Sequence, residues 1–367
     1  MVETSVVLLN YNGIRWLKKC LPPLLKQTYK SYEIILLDNG STDGSMEWIE
    51  KHFPKKKYPR LRPIHIKKNK GFTGGNNAGM KYTRGKYVAL LSNDTKVERN
   101  WLEELVKAIK IKSWNGKKIL VAGCLGWEKG KKIETQKILK DEYKKFTINV
   151  CGEFFTTLQD KKEQEKDVAS FFFVGGYAFI FRKKDFPQPF DEIWWCYGED
   201  TYIGWLARLR GGEVVFAKKS GLLHYGSGSF YAEEGSSKIA MFHGAKNVIL
   251  NYLVFYEWKN IIRIAPLMIL AQLGHLVIKP KKLLYKINAY WWILAHWGVV
   301  LKSRRKVQKQ RKVSDKELMK QISGQFYSLE KPCKFRKEYR FIIYILNKLT
   351  IMYCWLVRLP VNELCKH

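Results

Sequence analysis

Cysteine is scarce in this 367-residue chain, with seven residues scattered so that no C-x-x-C pair and no metal-finger spacing arises. A disulfide framework and a zinc module are therefore both excluded as expectations, and the thiols are read as reduced and facing the cytosol. Glycine-rich stretches occur, but none reads G-x-G-x-x-G or G-x-x-x-x-G-K-[ST]. A dinucleotide dehydrogenase and a P-loop NTPase thus lack their motifs. Acidic residues are few: 33 Asp and Glu stand against 66 Lys and Arg, a formal charge of +33. Such a balance predicts a polyanionic partner or surface. The start, MVETSVVLLNYNG, has no basic segment and enters an apolar strand almost at once, so no secretory signal is expected.

What is present is an alternation of strands and helices. Thr4 to Asn10 is a β-branched apolar run, followed by Asn12-Gly13 and a Leu-rich helical stretch interrupted by Pro22-Pro23. Tyr32 to Leu37 repeats the strand signal and ends on Asp38, before a polar turn in which Asp43 is placed to cap a helix through Phe53. Leu61 to Ile66 is a third strand, and the glycine loop from Gly71 to Gly79 leads into a helix through Arg84. The run KYVALLSNDT then delivers Asp94 to the carboxyl end of a fourth strand. This order implies an α/β fold built on a mostly parallel, doubly wound sheet, whose ligands belong at the carboxyl ends of the strands.

Several residues carry candidate chemistry. Asp94 is a candidate metal and phosphate handle, although Asn93 and Asp94 equally suit a simple turn. Gly71, Gly75 and Asn76 lie where a backbone could approach a donor phosphate closely. Between Trp101 and Lys166 the pattern weakens into a helix, a strand near Ile119 to Cys124 and a lysine-rich excursion. The run FFFVGGYAFIF reads as a strand broken by Gly175-Gly176, as expected where backbone passes close to a sugar. From Glu199, helical spacing of Ile203, Leu206 and Ala207 puts Glu199 and Asp200 in a first turn, where they complement the helix dipole or serve as a base. Trp194 and Trp195 just before them are candidate stacking surfaces for an acceptor sugar. His224 follows in a glycine-serine loop, either structural or a ligand.

Together the segments SVVLLNYNG, LLDNGSTDGS, NKGFTGGNNAGMKYTRGKYVALLSNDT, FFFVGGYAFIFRKKDF, FDEIWWCYGEDTYIGWLARLRGG and GLLHYGSGS resemble the family 2 glycosyltransferases, in particular the branch that includes bacterial rhamnosyltransferases. They span roughly residues 4 to 230 in the family's order. The resemblance implies a GT-A fold, a nucleotide-diphosphate sugar donor, a divalent cation (Mg²⁺ or Mn²⁺) and an inverting transfer. It implies Asp38 as the acid that binds the nucleotide base, with Asn10 and Asn12 nearby and Asn93 also at the donor. Asp94 corresponds to the last acid of the family's D-x-D, here reduced to Ser92-Asn93-Asp94, so the cation must lean on the donor's diphosphate. Asp200 matches the catalytic base and Glu199 its neighbour, while His224 matches a metal or diphosphate ligand. Tyr202 stands where relatives commonly carry another Asp, which bears on acceptor recognition.

The carboxyl-terminal third is the most basic part of the chain. Ile261 to Ile278 and Leu283 to Leu301 are long enough to span a bilayer, which takes about 20 residues. Their polar contents, Arg263 and Gln272 in one and Lys286 and Asn288 in the other, favour in-plane or re-entrant helices at the headgroup interface. The run Lys302 to Lys312 carries seven positive charges in eleven residues, and Leu283 to Lys312, helix and run together, is read as an anchor to an anionic leaflet. A third such stretch runs from Phe341 to Val357. Residues 1–237 are thus expected to form the catalytic domain and 238–367 a helical, membrane-associating region. The function expected is transfer of one sugar to a lipid-linked or cell-surface glycan precursor at the cytoplasmic face of the cell membrane, with no nucleic-acid partner. A nucleic-acid binder, suggested by charge alone, would place basic residues on the sheet face; a silent scaffold would fail to hydrolyse a donor.

Overall fold

The computed structural model describes residues 2–128, 144–158, 166–226, 236–278, 283–326 and 338–362. The lysine-rich excursion and the end of the glycine-serine loop after His224 lie outside the described residues. The apolar runs become β1 (Thr4–Asn10), β2 (Tyr32–Asp38), β3 (Leu61–His65) and β4 (Tyr87–Ser92), joined by α1 (Ile14–Leu25), α2 (Ser45–His52) and α3 (Gly71–Met80). These four strands are parallel in the order β3-β2-β1-β4. Successive connections leave β1 toward opposite edges, which opens a crevice at the carboxyl ends of the strands.

The sheet continues with β5 (Thr95–Val97), β6 (Ile119–Glu128), β9 (Val168–Ser170), β10 (Ala178–Arg182) and β11 (Glu213–His224), while β7 (Lys144–Ile148) and β8 (Phe154–Leu158) form a separate hairpin. The expected α/β class with a mostly parallel sheet is present, with β10 inserted antiparallel between β4 and β6. Only the second half of FFFVGGYAFIF is strand. Phe172 and Phe173 instead turn into the core, where Phe172 meets Trp205 edge-on at 5.1 Å.

Alternation along β1 divides the core into two layers, as a pleat requires. Val6 and Leu8 pack with Leu17, Leu21 and α4 (Trp101–Lys110) on one face. Val7 points to the other, toward Phe179, Phe181 and α5 (Glu199–Leu209). Two helices depart from expectation. α1 runs through Pro22 and Pro23, and the carbonyls their missing N–H groups would serve belong to Lys18 and Lys19 on the exposed side of the helix, where they are not buried unpaired. The glycine loop is itself the helix α3. A Cβ on Gly75 would meet Leu9 at 2.7 Å and one on Gly79 would meet Val7 at 2.6 Å, so the glycines bring the helix down onto β1.

Beyond residue 235 the chain is helical: α6 (Ser236–Phe255), α7 (Trp258–Ile278), α8 (Leu283–Ala295), α9 (Trp297–Gln308), α10 (Asp315–Met319) and α11 (Glu338–Leu356). Among the described residues no helix is long and apolar enough to cross a membrane. Leu283 to Leu301 is broken at His296, so it forms no single span. The core is continuous with the sheet layer: Trp205 of α5 stacks on Phe255 of α6 at 5.3 Å and 9°. The line expected at residue 237 therefore marks a change of element type without a break in packing.

The basic run is only partly a solvated face. Arg304 and Ser303 are buried, and Arg304 donates to the carbonyls of Leu253 and Tyr256. Gln308 donates to Val254 and Phe255, and Arg311 also reaches Phe255. These side chains satisfy the carbonyls that end α6, which no helical N–H can reach. Arg304→Ala should lower stability to urea by about 1–3 kcal/mol, the cost of leaving such groups unpaired. Lys309→Ala, on the exposed side, should change it by less than about 0.5 kcal/mol.

Candidate functional site

β4 ends at Ser92, and the turn through Asn93 and Asp94 carries the chain into β5, which pairs with β11. Thr95 lies opposite His224 in that antiparallel register. Asp94 is thereby placed with its Oδ2 3.4 Å from His224 Nε2, and its carbonyl accepts from Tyr225 N at 2.9 Å. Tyr177 backs the pair, its ring centroid 5.0 Å from that of His224. Gly126 and Gly175 make the slot for that ring, since a Cβ on either would lie within 2.5 Å of it.

A polar row ties the strand ends behind this pair. Asn93 Nδ2 donates to Asn10 Oδ1 at 2.7 Å, and Asn10 Nδ2 donates to Asp38 Oδ1 at 2.9 Å. Asp38 Oδ2 also meets His65 Nδ1 at 2.8 Å, so the ends of β4, β1, β2 and β3 form one network.

Across the crevice, Glu199 and Asp200 open α5 after a turn in which Trp195, Tyr197 and Gly198 have φ of 56°, 60° and 87°. Left-handed backbone at bulky residues costs on the order of 1–3 kcal/mol each and persists only where the surroundings enforce it. Asn247 of α6 enforces it here. Its buried Nδ2, with two protons to give, lies within hydrogen-bond reach of the carbonyls of Trp194 at 2.9 Å, Cys196 at 2.8 Å and Tyr197. Neighbouring Asn251 accepts from Trp194 Nε1 at 3.2 Å and donates to Thr201 Oγ1 at 3.0 Å. Asp200 Oδ1 accepts from Thr201 N at 2.7 Å, whereas Glu199 Oε2 is buried without a hydrogen-bond partner among the described residues. Burial, and next the Asp200 charge, raise the Glu199 carboxyl far above its usual range; burial raises Asp200 as well. The pair can hold and release a proton near neutral pH.

A cavity of about 360 Å³ lies between these two sets, within the size range of ligand pockets. Of the residues expected from sequence, it is lined by Gly71, Asn93, Asp94, Glu199, Asp200 and His224, joined by Tyr11, Gly176 and Tyr197. Asn10 and Asp38 reach it only through Asn93, and Asn12 uses its Oδ1 to accept from Thr42 N at 2.8 Å. Other expectations are corrected. Gly75 is spent on helix-to-strand packing, and Asn76 is buried with its Nδ2 donating to Phe72 O at 2.9 Å. Trp194 and Tyr202 meet edge to face in the core, their centroids 4.6 Å apart and both rings buried, so neither offers a face to an acceptor. Trp195 is half-buried, against Gly71 and His243. Asn247 and Tyr177 carried no sequence signal: one is an unremarkable Asn in a helix, the other an aromatic within an apolar run.

The family model described as glycosyl transferase family 2 matches residues 5–186. The chain belongs to that family. Among curated relatives, glycosyltransferase GlyA of Streptococcus pneumoniae serotype 4 is 29% identical over 220 residues, covering 59% of this chain and 30% of that protein. Glycosyltransferase GlyG of the same organism is 34% identical over 108 residues, 29% of this chain and 35% of that one. The chain thus spans about a third of the length of these relatives. The solved structure of S. aureus TarS 1-349 in complex with UDP-GlcNAc aligns over 97% of this chain and 90% of that one, with TM-score 0.51 and 13% identity. GalNAc-T7 with UDP, GalNAc and Mn²⁺ aligns over 61% and 43%, with TM-score 0.51 and 17% identity. These likenesses show a shared GT-A fold. The family match stops before Glu199, Asp200 and His224, which the structure brings to the same cavity as Asp94.

Asn247→Ala should release the turn that aims Glu199 and Asp200. Transfer turnover should fall about ten- to a hundredfold, as misplacement by about 1 Å can cause, with the KM for the nucleotide sugar changed much less. Stopped-time assays over a donor range separate the two parameters.

Proposed function

We propose that this protein is an inverting glycosyltransferase that moves one sugar from a nucleotide-diphosphate donor to a hydroxyl of a lipid-linked or cell-surface glycan precursor, working at the cytoplasmic face of a membrane. The observation that carries this reading is the single cavity that joins Asp94 and His224 on one side to Glu199 and Asp200 on the other.

The residues present fit a divalent cation, Mg²⁺ or Mn²⁺. A carboxylate oxygen and an imidazole nitrogen 3.4 Å apart are suitable ligands. Among the described residues no group of three or more His, Cys, Asp or Glu could hold a metal, so the remaining positions fall to donor oxygens and water. When bound, the cation would neutralise the charge that gathers on the departing diphosphate. Asn93 and the Gly71 backbone line the donor side. Asp200 takes the proton from the acceptor hydroxyl as its oxygen bonds to the anomeric carbon, and the electron pair of the breaking bond leaves with the nucleoside diphosphate. Glu199, raised highest, stays protonated beside it and so spares the pair a second charge. Support for a membrane-bound acceptor is the basic charge together with the exposed apolar helix faces of the carboxyl-terminal third.

A screen of nucleotide sugars for thermal stabilisation with Mn²⁺, followed by donor hydrolysis, tests the reading; a protein that neither binds nor hydrolyses any donor would be a silent scaffold. Asp94→Ala should weaken metal-dependent donor binding, and His224→Ala should do so less, because the diphosphate still helps hold the cation. Asp200→Asn should cut transfer by about 10² to 10⁴ while donor affinity stays near normal. The base must be ionised, and burial raises its pKa. Activity should therefore rise with pH along an acid limb set above the ordinary aspartate value of about 3.9. Glu199→Gln should preserve that limb if Asp200 is the base; loss of the limb there would exchange the two roles.

A further inference from the structure

A second cavity, about 480 Å³ in volume, lies far along the chain from the catalytic acids, where α7, α10 and the end of α11 meet. Its lining carries Lys259, Arg263, Lys316 and Arg358, with Trp355 and Leu359 beside them and no carboxylate. Glu257 pairs with Lys259 at 3.0 Å, and Asp315 is engaged by Arg311 at 2.9 Å and Asn260 at 2.8 Å. Lys316 and Arg358 make no side-chain hydrogen bond or ion pair among the described residues. Of the four cations that line the cleft, Lys259 is paired with a carboxylate, while Lys316 and Arg358 leave their charge uncompensated there.

The two long helices that wall it add a second, independent feature. They are joined there by Tyr353 Oη donating to Arg263 O at 2.8 Å. α7 exposes Ile262, Ile269 and Leu273 at helical spacing, and α11 exposes Ile345, Leu349, Met352 and Leu356 in the same manner. Trp355, 74% exposed, stands at the lip of the cleft itself. Isolated exposed apolar residues are ordinary, but stripes on two adjoining helices mark an interaction surface. A second copy of this chain is a poor occupant, because each copy carries a formal +33. An anionic amphiphile matches both features at once: a phosphate for the cations and acyl chains for the stripes.

We propose that this cleft binds the phosphate headgroup of a membrane lipid, with the apolar faces of α7 and α11 entering the acyl boundary beside it. The inference rests on the membrane-facing part of the function proposed above and says which surface does the facing. It differs from the sequence expectation, which placed the anchor in Leu283 to Lys312, whose basic run is partly used to end α6.

The test is flotation of the full chain with vesicles of phosphatidylcholine alone and of phosphatidylcholine with phosphatidylglycerol. Binding is expected only with the anionic lipid. K316E/R358E should weaken it by at least about tenfold, two reversed charges near the surface being sufficient for that. M352S/L356S should weaken it by a comparable factor through lost buried area, which involves no charge. Inorganic phosphate should not displace the vesicles. Donor binding and hydrolysis are measured on the same preparations, with thermal unfolding as a check that each variant folds. Absence of binding to anionic vesicles, or binding that neither variant reduces, would overturn the proposal. Displacement by phosphate with M352S/L356S unaffected would make this a free-phosphate site, and monomerisation of a dimer by M352S/L356S would make it a self-association face; either overturns the lipid assignment. Vesicle binding in a protein that takes no nucleotide sugar would leave this surface standing while the transferase reading fell.

Discussion

One amide holds the arrangement together. The side chain of Asn247 reaches from α6 into the turn before α5 and puts its Nδ2 within hydrogen-bond reach of three carbonyls of that turn, those of Trp194, Cys196 and Tyr197. Without a buried donor there, the left-handed backbone at Trp195 and Tyr197 would relax, because nothing intrinsic to a Trp or Tyr favours positive φ. α6 is itself fixed by the stack of Phe255 on Trp205 and by Arg304, Gln308 and Arg311 at its carboxyl end. The helices beyond residue 235 thus set the aim of two carboxyls that belong, by sequence, to the sheet domain.

The opposite wall is built on a different economy. Parallel strands place their ends together, and the network Asp38–Asn10–Asn93 locks those ends with neutral amides around one carboxylate. On the proposed reading, Asp94 and His224 are the described residues that would face a cation. A single protein carboxylate gives little affinity for a hard cation on its own, so a metal held here depends on oxygen ligands that arrive with a donor. The reduced D-x-D is consistent with ordered binding and does not by itself remove the proposed chemistry, because the proposed proton acceptor, Asp200, lies on the other wall.

The sequence was most informative where one physical rule dominated. Buried parallel strands need uninterrupted apolar runs, and these runs located β1, β2, β4 and the carboxyl-edge acids correctly. It failed where two rules competed. Gly75 and Gly79 suggested a phosphate loop, yet close helix-to-strand approach uses the same residue for the same steric reason. Trp194 next to an acid pair suggested sugar stacking, but an aromatic ring is as ready to fill a core, and its burial decides the matter. Pro22 and Pro23 suggested a break that the exposed carbonyls of α1 made unnecessary. The Lys302 to Lys312 run looked like a surface because charge is usually solvated; nothing local reveals that helix-ending carbonyls wait for Arg304 and Arg311. The pairing of Asp94 with His224, 130 positions apart in sequence, was legible only through the resemblance, since it depends on β5 leaving β4 for β11.

The family match covers residues 5–186, which contain the donor-facing strand ends but neither α5 nor α6. That match therefore takes in the wall of the cavity that carries Asp94, while the acid pair and its brace lie beyond its last residue. The same carboxyl-terminal helices that fix the acid pair also carry the exposed apolar stripes and the cationic cleft. If the acceptor is lipid-linked, its anchoring and its deprotonation fall to one rigid unit, and the height of Asp200 above the bilayer is set by helix packing. A rigid brace is the economical solution for such an acceptor, because a tethered hydroxyl gains from a base held at a fixed distance, whereas a mobile one would lose the orientation that makes the tether useful.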